Sequence, residues 1–394
     1  MPALSTVPAP RPIAKIAHLM PHLNPYYPRM FQQARSSVED GFEVVVIAPH
    51  DRDEEREGVR VLGVPHYRSR LERVTRTNWL CLKRALAERP DIYYLHTPDQ
   101  IPWGLLLRLI GRKVAYDVLE DYKGAAMVRT WLPDWARTLT VGLINAANFV
   151  ARKAFVTVIA ERYYARDFPE AIQVLNYARE EDYVEISAIA RDPASLDRIR
   201  LIYAGSITDT RGGRHHARLL PHLPENALLR LIGQCPLGDV RAELEAIAAR
   251  DPRLDLVIRV DWVPRDDIIA AYREPYTAGL AIFPDTVHYR EKELTKLFEY
   301  MAAGLPVVAS NFPVWRELIE DNEVGLCVDP EDPAAAVAAI RWLSDNPEVA
   351  RRMGTRGREL VRERFNWASQ ARALNDLYRR MLDLTPIGAG ATPA

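Results

Sequence analysis

The sequence has few cysteines and no excess of charge. Its 394 residues include three cysteines, and 52 Lys and Arg nearly balance 53 Asp and Glu, for a formal net charge of −1. Cys81, Cys235 and Cys327 lie far apart and show no metal-ligand spacing, so they are interpreted as packing residues in a reducing compartment. The balanced charge argues against a nucleic-acid partner.

Long apolar runs and early glycines are also missing. Met1–Pro12 has neither the basic start nor the apolar core of a signal peptide. An uncharged, apolar-leaning stretch, Thr138–Ala151, has 14 residues. A membrane span needs about 20, so a core helix is predicted there, in a cytoplasmic protein with at most peripheral contact at the inner membrane face. No glycine occurs from Ile13 to Asn24, which argues against the Gly-x-Gly-x-x-Gly turn of a nicotinamide-dependent oxidoreductase.

Strand-like and helix-like runs alternate along the chain, which indicates parallel α/β architecture. The length predicts two domains of about 100–200 residues each. A charged segment without buried-strand character, Arg179–Arg200, is predicted to link them. The predicted strands are Ile13–Leu19, Phe42–Ala48, Asp91–His96, Val114–Leu119, Ala154–Ala160, Ala171–Leu175, Arg200–Ala204, Ala227–Ile232, Leu254–Val260, Gly279–Phe283, Pro306–Ala309 and Gly325–Val328.

These patterns define three segments. We expect an N-terminal domain over residues 12–190, a C-terminal domain over 191–366 and a final helix over 367–383. The helix is indicated by apolar residues at helical spacing within Trp367–Met381. The tail after Leu384 is predicted to be disordered.

The most informative segment is Glu291–Ser310, EKELTKLFEYMAAGLPVVAS. It predicts a loop, a helix capped by Thr295, a stop at Gly304 and a buried strand. A strand before it puts the loop at the carboxyl edge of a parallel sheet, where α/β proteins bind ligands. The start of the helix offers N–H groups and a positive dipole end to an anion.

Two glutamates in this segment are candidate ligand-binding residues. Glu299 stands between Phe298 and Met301, where a carboxylate can accept hydrogen bonds from ribose hydroxyls or lie on the exposed edge of the helix. Glu291 lies eight positions earlier in the loop, within reach of the sugar end of the same ligand.

The spacing Glu291-x(7)-Glu299 followed by YMAAGLPVVAS resembles the signature of the retaining glycosyltransferases of family 4. The resemblance extends over Ile13 to Leu382. It implies the GT-B fold: two Rossmann-like parallel-sheet domains facing a cleft, with a C-terminal helix returning to the N-terminal domain. It also implies transfer of a sugar from a nucleotide diphosphate sugar to an acceptor, with retention of configuration.

The resemblance assigns the donor site. In the family the first glutamate contacts the donor sugar and the second the ribose. Two basic residues hold the diphosphate, and Arg211 matches the second. The first, normally Arg, is Ser206 here, and Lys296 is expected to replace its charge. A surface arginine and a solvated lysine are the alternatives. The predicted catalytic residues are Arg211, Lys296 and Glu291, and the predicted donor-binding residues are Gly205, Ser206, Arg211, Glu291, Leu294, Thr295, Lys296 and Glu299.

Charge from these groups predicts catalysis without a metal, and no cofactor besides the donor is expected. The run Asp261–Pro264 is similar to a Gly-Trp-Val-Pro turn near the nucleotide base, with Asp261 replacing Gly, and a purely structural turn is the favoured interpretation.

The first domain departs from the family pattern. Val114–Tyr122 resembles a Tyr-Asp-Val-His-Glu-Asp-Tyr motif, but Leu119 replaces its histidine, which usually contacts the donor sugar. With Ser206, this motivates the alternative of a non-catalytic nucleotide-sugar-binding or partner subunit. The alternative for His96 is a hydrogen-bonded residue at the end of a strand. The alternative for the aromatic residues of the first loop, Tyr26 and Tyr27, is a packing role. The predicted acceptor-binding residues are Asn24, Tyr27, Arg29, His96, Asp99 and Glu120.

The segment Arg68–Arg84 holds six basic residues, one glutamate and an aromatic, Trp79. Such a basic amphipathic segment predicts contact with an anionic membrane surface, with a solvated helix face as the alternative. A lipid-linked acceptor in polysaccharide, glycolipid or glycoconjugate synthesis fits this placement. A sugar or another small molecule remains an alternative acceptor.

Overall fold

The computed structural model describes residues 12–127, 133–188, 197–261, 263–286 and 289–384. The chain divides into two compact units, Met1–Asn176 with Ser369–Ala394, and Tyr177–Ala368. The boundaries expected at 190/191 and 366/367 stay predictions. Residues 189–196 of the predicted linker, and the tail predicted to be disordered, lie outside the described residues.

The first unit is built on one sheet. Its strands are β1 (Lys15–Leu19), β2 (Glu43–Pro49), β3 (Glu54–Arg56), β4 (Val59–Val64), β5 (Ile92–Leu95), β6 (Lys113–Val118), β7 (Val156–Ile159) and β8 (Ile172–Gln173). Their order is β3-β4-β2-β1-β5-β6-β7-β8, and all neighbours pair in parallel except β3 and β4. The helices in this part of the chain are α1 (Pro28–Glu39), α2 (Arg70–Glu72), α3 (Asn78–Glu88), α4 (Ile101–Leu109), α5 (Tyr122–Met127) and α6 (Asp134–Ala154).

The second unit has a fully parallel sheet. Its strands are β9 (Arg200–Ala204), β10 (Leu228–Gln234), β11 (Leu254–Arg259), β12 (Ala278–Ala281), β13 (Val307–Ser310) and β14 (Gly325–Val328). Their order is β11-β10-β9-β12-β13-β14. The remaining helices are α7 (Glu180–Ser187), α8 (Gly213–Ala217), α9 (Gly238–Ala248), α10 (Arg265–Arg273), α11 (Thr295–Ala302), α12 (Pro313–Ile319), α13 (Pro333–Asp345), α14 (Pro347–Glu363) and α15 (Trp367–Met381).

Each predicted strand coincides with an observed one to within a few residues. The sequence did not predict the hairpin of β3 and β4. Its turn places Glu57 and Gly58 in the left-handed region, with φ of 52° and 75°, and β3 is three charged residues long. A strand this short and polar has no apolar alternation to reveal it.

The last helix packs on the first sheet, as the resemblance implied. On α15, the Tyr378 ring lies 5.8 Å from that of Phe42 and 5.9 Å from that of Tyr94. Ser37 Oγ donates a 2.7 Å hydrogen bond to Asn375 on the same helix. The opposite face of the sheet packs against α3, α4 and α6, since buried residues of these helices share one apolar cluster with alternate strand residues.

The predicted core helix at Thr138–Ala151 is wrong in one respect. The segment is helical within α6, but Ala151 is the one fully buried side chain that this helix contributes. Trp135, Leu139 and Leu143 are 72%, 56% and 64% exposed. The physical reason is the length of the helix. Its 21 residues extend about 31 Å, and only the last turns of α6 contact the shared apolar cluster, so the first turns are exposed. Over the described residues, none of the helices is both long enough and apolar enough to span a bilayer.

Candidate functional site

A pocket lies at the carboxyl edge of the second sheet, where β9 and β10 end. Gly205 follows β9 with φ of +133°, and Gly233 near the end of β10 has φ of +150°. A Cβ on Gly233 would lie 1.9 Å from the carbonyl oxygen of Gly205, so the two segments approach closely only because this position has no side chain. The pocket has a volume of about 220 Å³ and is lined by Ala204, Gly205, Ser206, Gly233, Gln234, Val263, Arg265, Ile268 and Glu299.

Glu299 forms part of the pocket wall from the second turn of α11. Its Oε2 accepts a 3.1 Å hydrogen bond from the Tyr272 hydroxyl, and its Oε1 lies 4.0 Å from Nη1 of Arg265. The side chain is 18% exposed, so these contacts orient the carboxylate while it still lines the pocket. A carboxylate in this position has the acceptor atoms that a pair of ribose hydroxyls requires.

Lys296, one turn earlier on α11, is buried. Its Nζ lies 3.6 Å from the centre of the Tyr203 ring and 5.1 Å from that of Phe283. A Cβ on Gly205 would come within 3.0 Å of this Nζ, so the amine lies directly beside the glycine turn. The predicted alternative of a solvated lysine is therefore wrong.

The Lys296 amine has no hydrogen-bond partner among the residues that the structure describes. Burial lowers the pKa of Lys296 well below its usual value, and the nearby charge of Arg211 lowers it further. A buried amine without a hydrogen bond is costly unless something else supplies its acceptor. The ring faces of Tyr203 and Phe283 offset part of this cost through cation–π attraction.

Arg211 lies in the same region, at the end of a 3₁₀ turn over Asp209–Arg211. Its Nε donates a 3.0 Å hydrogen bond to the Tyr289 hydroxyl, which holds the half-buried guanidinium against the loop that follows β12. Gly212 comes next with φ of +73°, and a Cβ there would lie 1.9 Å from the carbonyl oxygen of Ile282. The turn carrying Arg211 thus packs tightly against the end of the neighbouring strand.

A buried histidine supports this arrangement. His216 Nε2 accepts a 3.2 Å hydrogen bond from the amide of Ile282, and its Nδ1 bonds the carbonyl of Gly212. Burial, with the nearby Lys296, lowers the pKa of His216 to about 3. The imidazole is therefore neutral at physiological pH and fixes the turn without adding charge.

The first turn of α11 differs from the prediction in its cap. Leu294, not Thr295, is the N-cap residue, and its side chain cannot accept a hydrogen bond from the helix. Thr295 is exposed at the first helical position. Leu294 and Thr295 thus stand at a helix start that lacks a side-chain cap, where backbone N–H groups point outward and the helix dipole is positive.

The loop before α11 is anchored to the rest of the unit. Trp315 Nε1 donates a 2.7 Å hydrogen bond to the carbonyl of Lys292, and the Tyr177 hydroxyl donates a 3.4 Å one to Glu293. Glu291 is partly buried in this loop, two residues after Tyr289. Tyr289 bonds Arg211, so the loop carrying Glu291 lies beside the predicted diphosphate-binding residues.

Several residues of this site were not predicted from the sequence: Tyr203, His216, Gln234, Arg265, Tyr272 and Tyr289. Tyr203 and Gln234 lie at strand ends of the predicted sheet, a signal that was available. Arg265 and Tyr272 belong to α10, whose proximity to Glu299 depends on tertiary packing. In the turn Asp261–Pro264, for which a structural role was favoured over base contact, Trp262 lies outside the described residues and Val263 lines the pocket.

In the first unit, Arg29 and His96 are buried and belong to a network of charged and hydrogen-bonded side chains around Asp117. Arg29 donates two hydrogen bonds to Asp117, of 2.8 and 3.1 Å, and another to the carbonyl of Val174. Burial raises the pKa of Asp117, but the charge and hydrogen bonds of Arg29 and the interaction with His96 together outweigh it and hold that pKa well below its usual value. Gln33 also donates to Asp117, at 3.1 Å.

Histidines complete the network. A 3.0 Å hydrogen bond joins Nδ1 of His18 to Nε2 of His96, and Nδ1 of His96 lies 3.5 Å from Asp117. Burial lowers the pKa of both histidines. This geometry favours the alternative reading of His96 as a hydrogen-bonded strand-end residue. The acceptor roles of Arg29 and His96 stay predictions.

The other predicted acceptor residues lie nearer the surface. The amides of Tyr26 and Tyr27 donate to Asn24 in a tight turn, and Asp99 accepts a 2.9 Å hydrogen bond from Asn78. Burial, reinforced by the Glu120 carboxylate, raises the pKa of Tyr27, which shows that these two side chains are neighbours. Their role in acceptor binding stays a prediction.

Comparison with known proteins identifies the family. The description "Glycosyl transferase 4-like domain" matches residues 28–179, and "Glycosyl transferases group 1" matches residues 187–360. The chain belongs to the group 1, 4-like glycosyltransferases. The predicted family is confirmed.

Curated relatives match over part of their length. A D-inositol 3-phosphate glycosyltransferase of Corynebacterium kroppenstedtii is 31% identical over 166 residues, 41% of this chain and 35% of that protein. A phosphatidyl-myo-inositol mannosyltransferase of Mycobacterium leprae is 39% identical over 82 residues, 21% of this chain and 22% of that one. The matches thus span about a third or less of these relatives.

Solved structures confirm the fold. A glycosyltransferase from Rickettsia africae has a TM-score of 0.72 at 12% identity, over 94% of this chain and 99% of that one. Anabaena HepE in complex with UDP-glucose has a TM-score of 0.67 at 14% identity, over 93% of this chain and 100% of that one. Both similarities define the predicted GT-B class, with two parallel-sheet α/β domains.

Proposed function

We propose that the protein transfers a sugar from a nucleotide diphosphate sugar to an acceptor with retention of configuration. The observation that carries the proposal is the buried Lys296 amine, which lies beside the Gly205 turn and close to the pocket bounded by Glu299. An amine, an arginine and a helix start around one region make a binding site for a diphosphate.

Each part of the donor has a place in this proposal. Glu299 holds the ribose hydroxyls, and the pocket beside Val263 and Arg265 takes the base. Lys296, Arg211 and the N–H groups near Leu294 and Thr295 hold the diphosphate, with Gly205 and Ser206 in the turn. Glu291 binds the sugar hydroxyls. Similar structures support a nucleotide donor, since Anabaena HepE was solved in complex with UDP and with UDP-glucose.

Cleavage of the donor leaves negative charge on the departing diphosphate. Lys296 and Arg211 are held in place before the reaction, by packing on Tyr203 and by the Tyr289 hydrogen bond, so they stabilise this charge without reorganising. In the proposed front-side route the leaving phosphate accepts the acceptor's proton, and no side-chain base is needed. We propose that the reaction requires neither a metal nor another cofactor.

The acceptor is proposed to be a lipid-linked or other sugar in polysaccharide, glycolipid or glycoconjugate synthesis, taken up by a cytoplasmic protein. Names of relatives support an inositol-containing or lipid acceptor as a class. Peripheral membrane contact by Arg68–Arg84 belongs to the same proposal, because Leu71 and Trp79 are exposed among its basic residues.

A panel of nucleotide sugars tests the proposal through donor turnover and nucleotide binding. Glu299→Ala is expected to lose nucleoside diphosphate binding, whereas Glu291→Ala is expected to lose turnover more than binding. Activity should persist in EDTA. Nucleotide binding by Glu299→Ala equal to that of the wild type would contradict the ribose assignment, and donor binding without turnover for any tested donor and acceptor would favour the non-catalytic alternative.

A further inference from the structure

Helix α6 presents its most apolar face to solvent. Trp135, Leu139, Leu143 and Phe149 recur at the spacing of one helical face, and each is more than half exposed. The side chains that turn inward from this helix include the small Ala147 and Ala151. Exposing a row of large apolar side chains to water costs free energy. Contiguous apolar patches on a protein surface often mark sites that bind a protein or a membrane.

The neighbouring helix extends this surface. At the end of α4, Leu106, Leu109 and Ile110 are 50%, 82% and 60% exposed. Helices α4 and α6 pack against each other on the same face of the first sheet. The Trp79 ring on α3 lies 6.0 Å from that of Trp103 on α4, which joins the Arg68–Arg84 segment to the same helical layer.

Basic residues outnumber acidic ones around this surface. Residues 101–113 contain Arg108, Arg112 and Lys113 and no acid, and α6 contains three basic residues and one acid, Asp134, which pairs with Arg137 at 2.5 Å. Arg108, Arg112 and Lys153 are exposed. In a chain with a net charge of −1, this is a local positive border around an apolar face.

We propose that the exposed faces of α4 and α6 form a membrane-docking surface that lies flat on an anionic lipid bilayer. The apolar side chains enter the interfacial region while the basic residues meet lipid phosphates. Two copies of this face would bring like charges together, whereas anionic headgroups neutralise them, so charge favours a bilayer over a second copy. Trp135, at the solvent end of α6, suits the interface between headgroups and acyl chains.

This inference deepens the acceptor side of the proposed function, because it places the enzyme where lipid-linked acceptors lie. Its evidence is independent of the donor site. Nucleotide binding measured on the same variants therefore separates a failure of membrane docking from a failure of the transfer proposal.

Co-sedimentation of the full-length protein with vesicles tests the proposal. The probe vesicles contain equal parts of phosphatidylglycerol and phosphatidylcholine, and vesicles of phosphatidylcholine alone serve for comparison. Wild type is expected to bind the anionic vesicles and to bind less at high salt. Leu139→Gln with Leu143→Gln should weaken binding about tenfold or more, because two apolar side chains no longer enter the lipid.

A matched control changes two exposed apolar residues of the second unit, Leu237→Gln with Trp342→Gln, and should leave vesicle binding unchanged. Arg108→Glu with Arg112→Glu should weaken binding to anionic vesicles only. Equal binding by wild type and the α6 variant, or no binding of wild type at low salt, would overturn the proposal. A dimer in light scattering that the α6 variant converts to a monomer would overturn it in favour of a second copy as the occupant.

Discussion

The two units each bury a basic side chain near the carboxyl edge of a parallel sheet, but they satisfy its charge differently. In the first unit, Arg29 donates to Asp117, to the carbonyl of Val174 and to Asn176. In the second, Lys296 has aromatic rings around it and no hydrogen-bond partner within the described part of the chain.

We propose that this difference separates a structural cluster from a binding site. The guanidinium of Arg29 has an ion-pair partner and further hydrogen bonds, so its charge needs no ligand. A buried amine beside a glycine turn and an uncapped helix start lacks an anion, and a diphosphate supplies one. On this comparison we propose that Arg29 serves mainly stability and Lys296 mainly ligand binding.

The largest expected effect comes from removing Arg29, the buried cation that pairs with Asp117 in the first unit. Arg29→Met should lower the free energy of unfolding by about 3–5 kcal/mol, because it leaves Asp117 buried without its partner. Urea unfolding measures this loss. Arg35→Met, on the same helix but in a half-exposed pair with Glu39, should cost less than about 1 kcal/mol. Equal losses for the two variants would remove the distinction between the clusters.

Removing Lys296 in the second unit should instead impair activity and leave stability unchanged. Lys296→Met is expected to reduce kcat/KM for donor turnover by about tenfold or more, the size of one charge-assisted contact, without lowering Tm. Arg211→Ala should reduce activity by a similar factor. Arg352→Met, which changes an exposed basic residue of α14, serves as the control. If Lys296→Met unfolds the protein while activity per folded molecule is unchanged, Lys296 is a structural residue.

Parts of this comparison are accessible from sequence and parts are not. The segment Glu291–Ser310 predicted the loop, helix, glycine stop and strand because turn chemistry and apolar periodicity are local signals. The burial of Lys296 depends on Tyr203 and Phe283, which come from two other strands. No local pattern reports such a contact.

The same limit applies to two more features. The burial of Arg29 could not be predicted, because its partner Asp117 lies 88 positions away, on a strand that pairs with β5, and the acceptor role of Arg29 stays a prediction. Helix α6 was expected in the core because its sequence is apolar. An apolar helix of this composition can pack in a protein core or lie on a lipid surface. Only the packing of the neighbouring elements decides between these two environments.

A smaller effect should appear in acid. Burial lowers the pKa of His18 and His96 in the first unit and that of His216, to about 3, in the second. At mildly acidic pH the unfolded chain therefore binds more protons than the folded chain. The free energy of unfolding should fall as pH decreases below the usual histidine pKa of about 6.5.

Each such histidine contributes at most about 1.4 kcal/mol per pH unit. Urea unfolding at pH 7 and pH 5 measures the slope. His18→Gln and His216→Gln should each reduce it, and Asp117, whose pKa is lowered, should add a further loss only at still lower pH. A stability that is constant between pH 7 and pH 5 would contradict the lowered pKa values, because the folded and unfolded chains would then bind the same number of protons.

The central claim is that Lys296 is completed by the donor diphosphate. Burial lowers the pKa of the Lys296 amine in the free protein, and an adjacent diphosphate should raise it again. Binding should therefore take up a proton, and it should strengthen as pH falls from the pKa of the bound amine to that of the free amine. Calorimetry of nucleoside diphosphate binding in two buffers of different ionisation enthalpy measures this uptake directly. We predict proton uptake by the wild type and none by Lys296→Met, whereas the same proton linkage in both proteins would contradict the assignment.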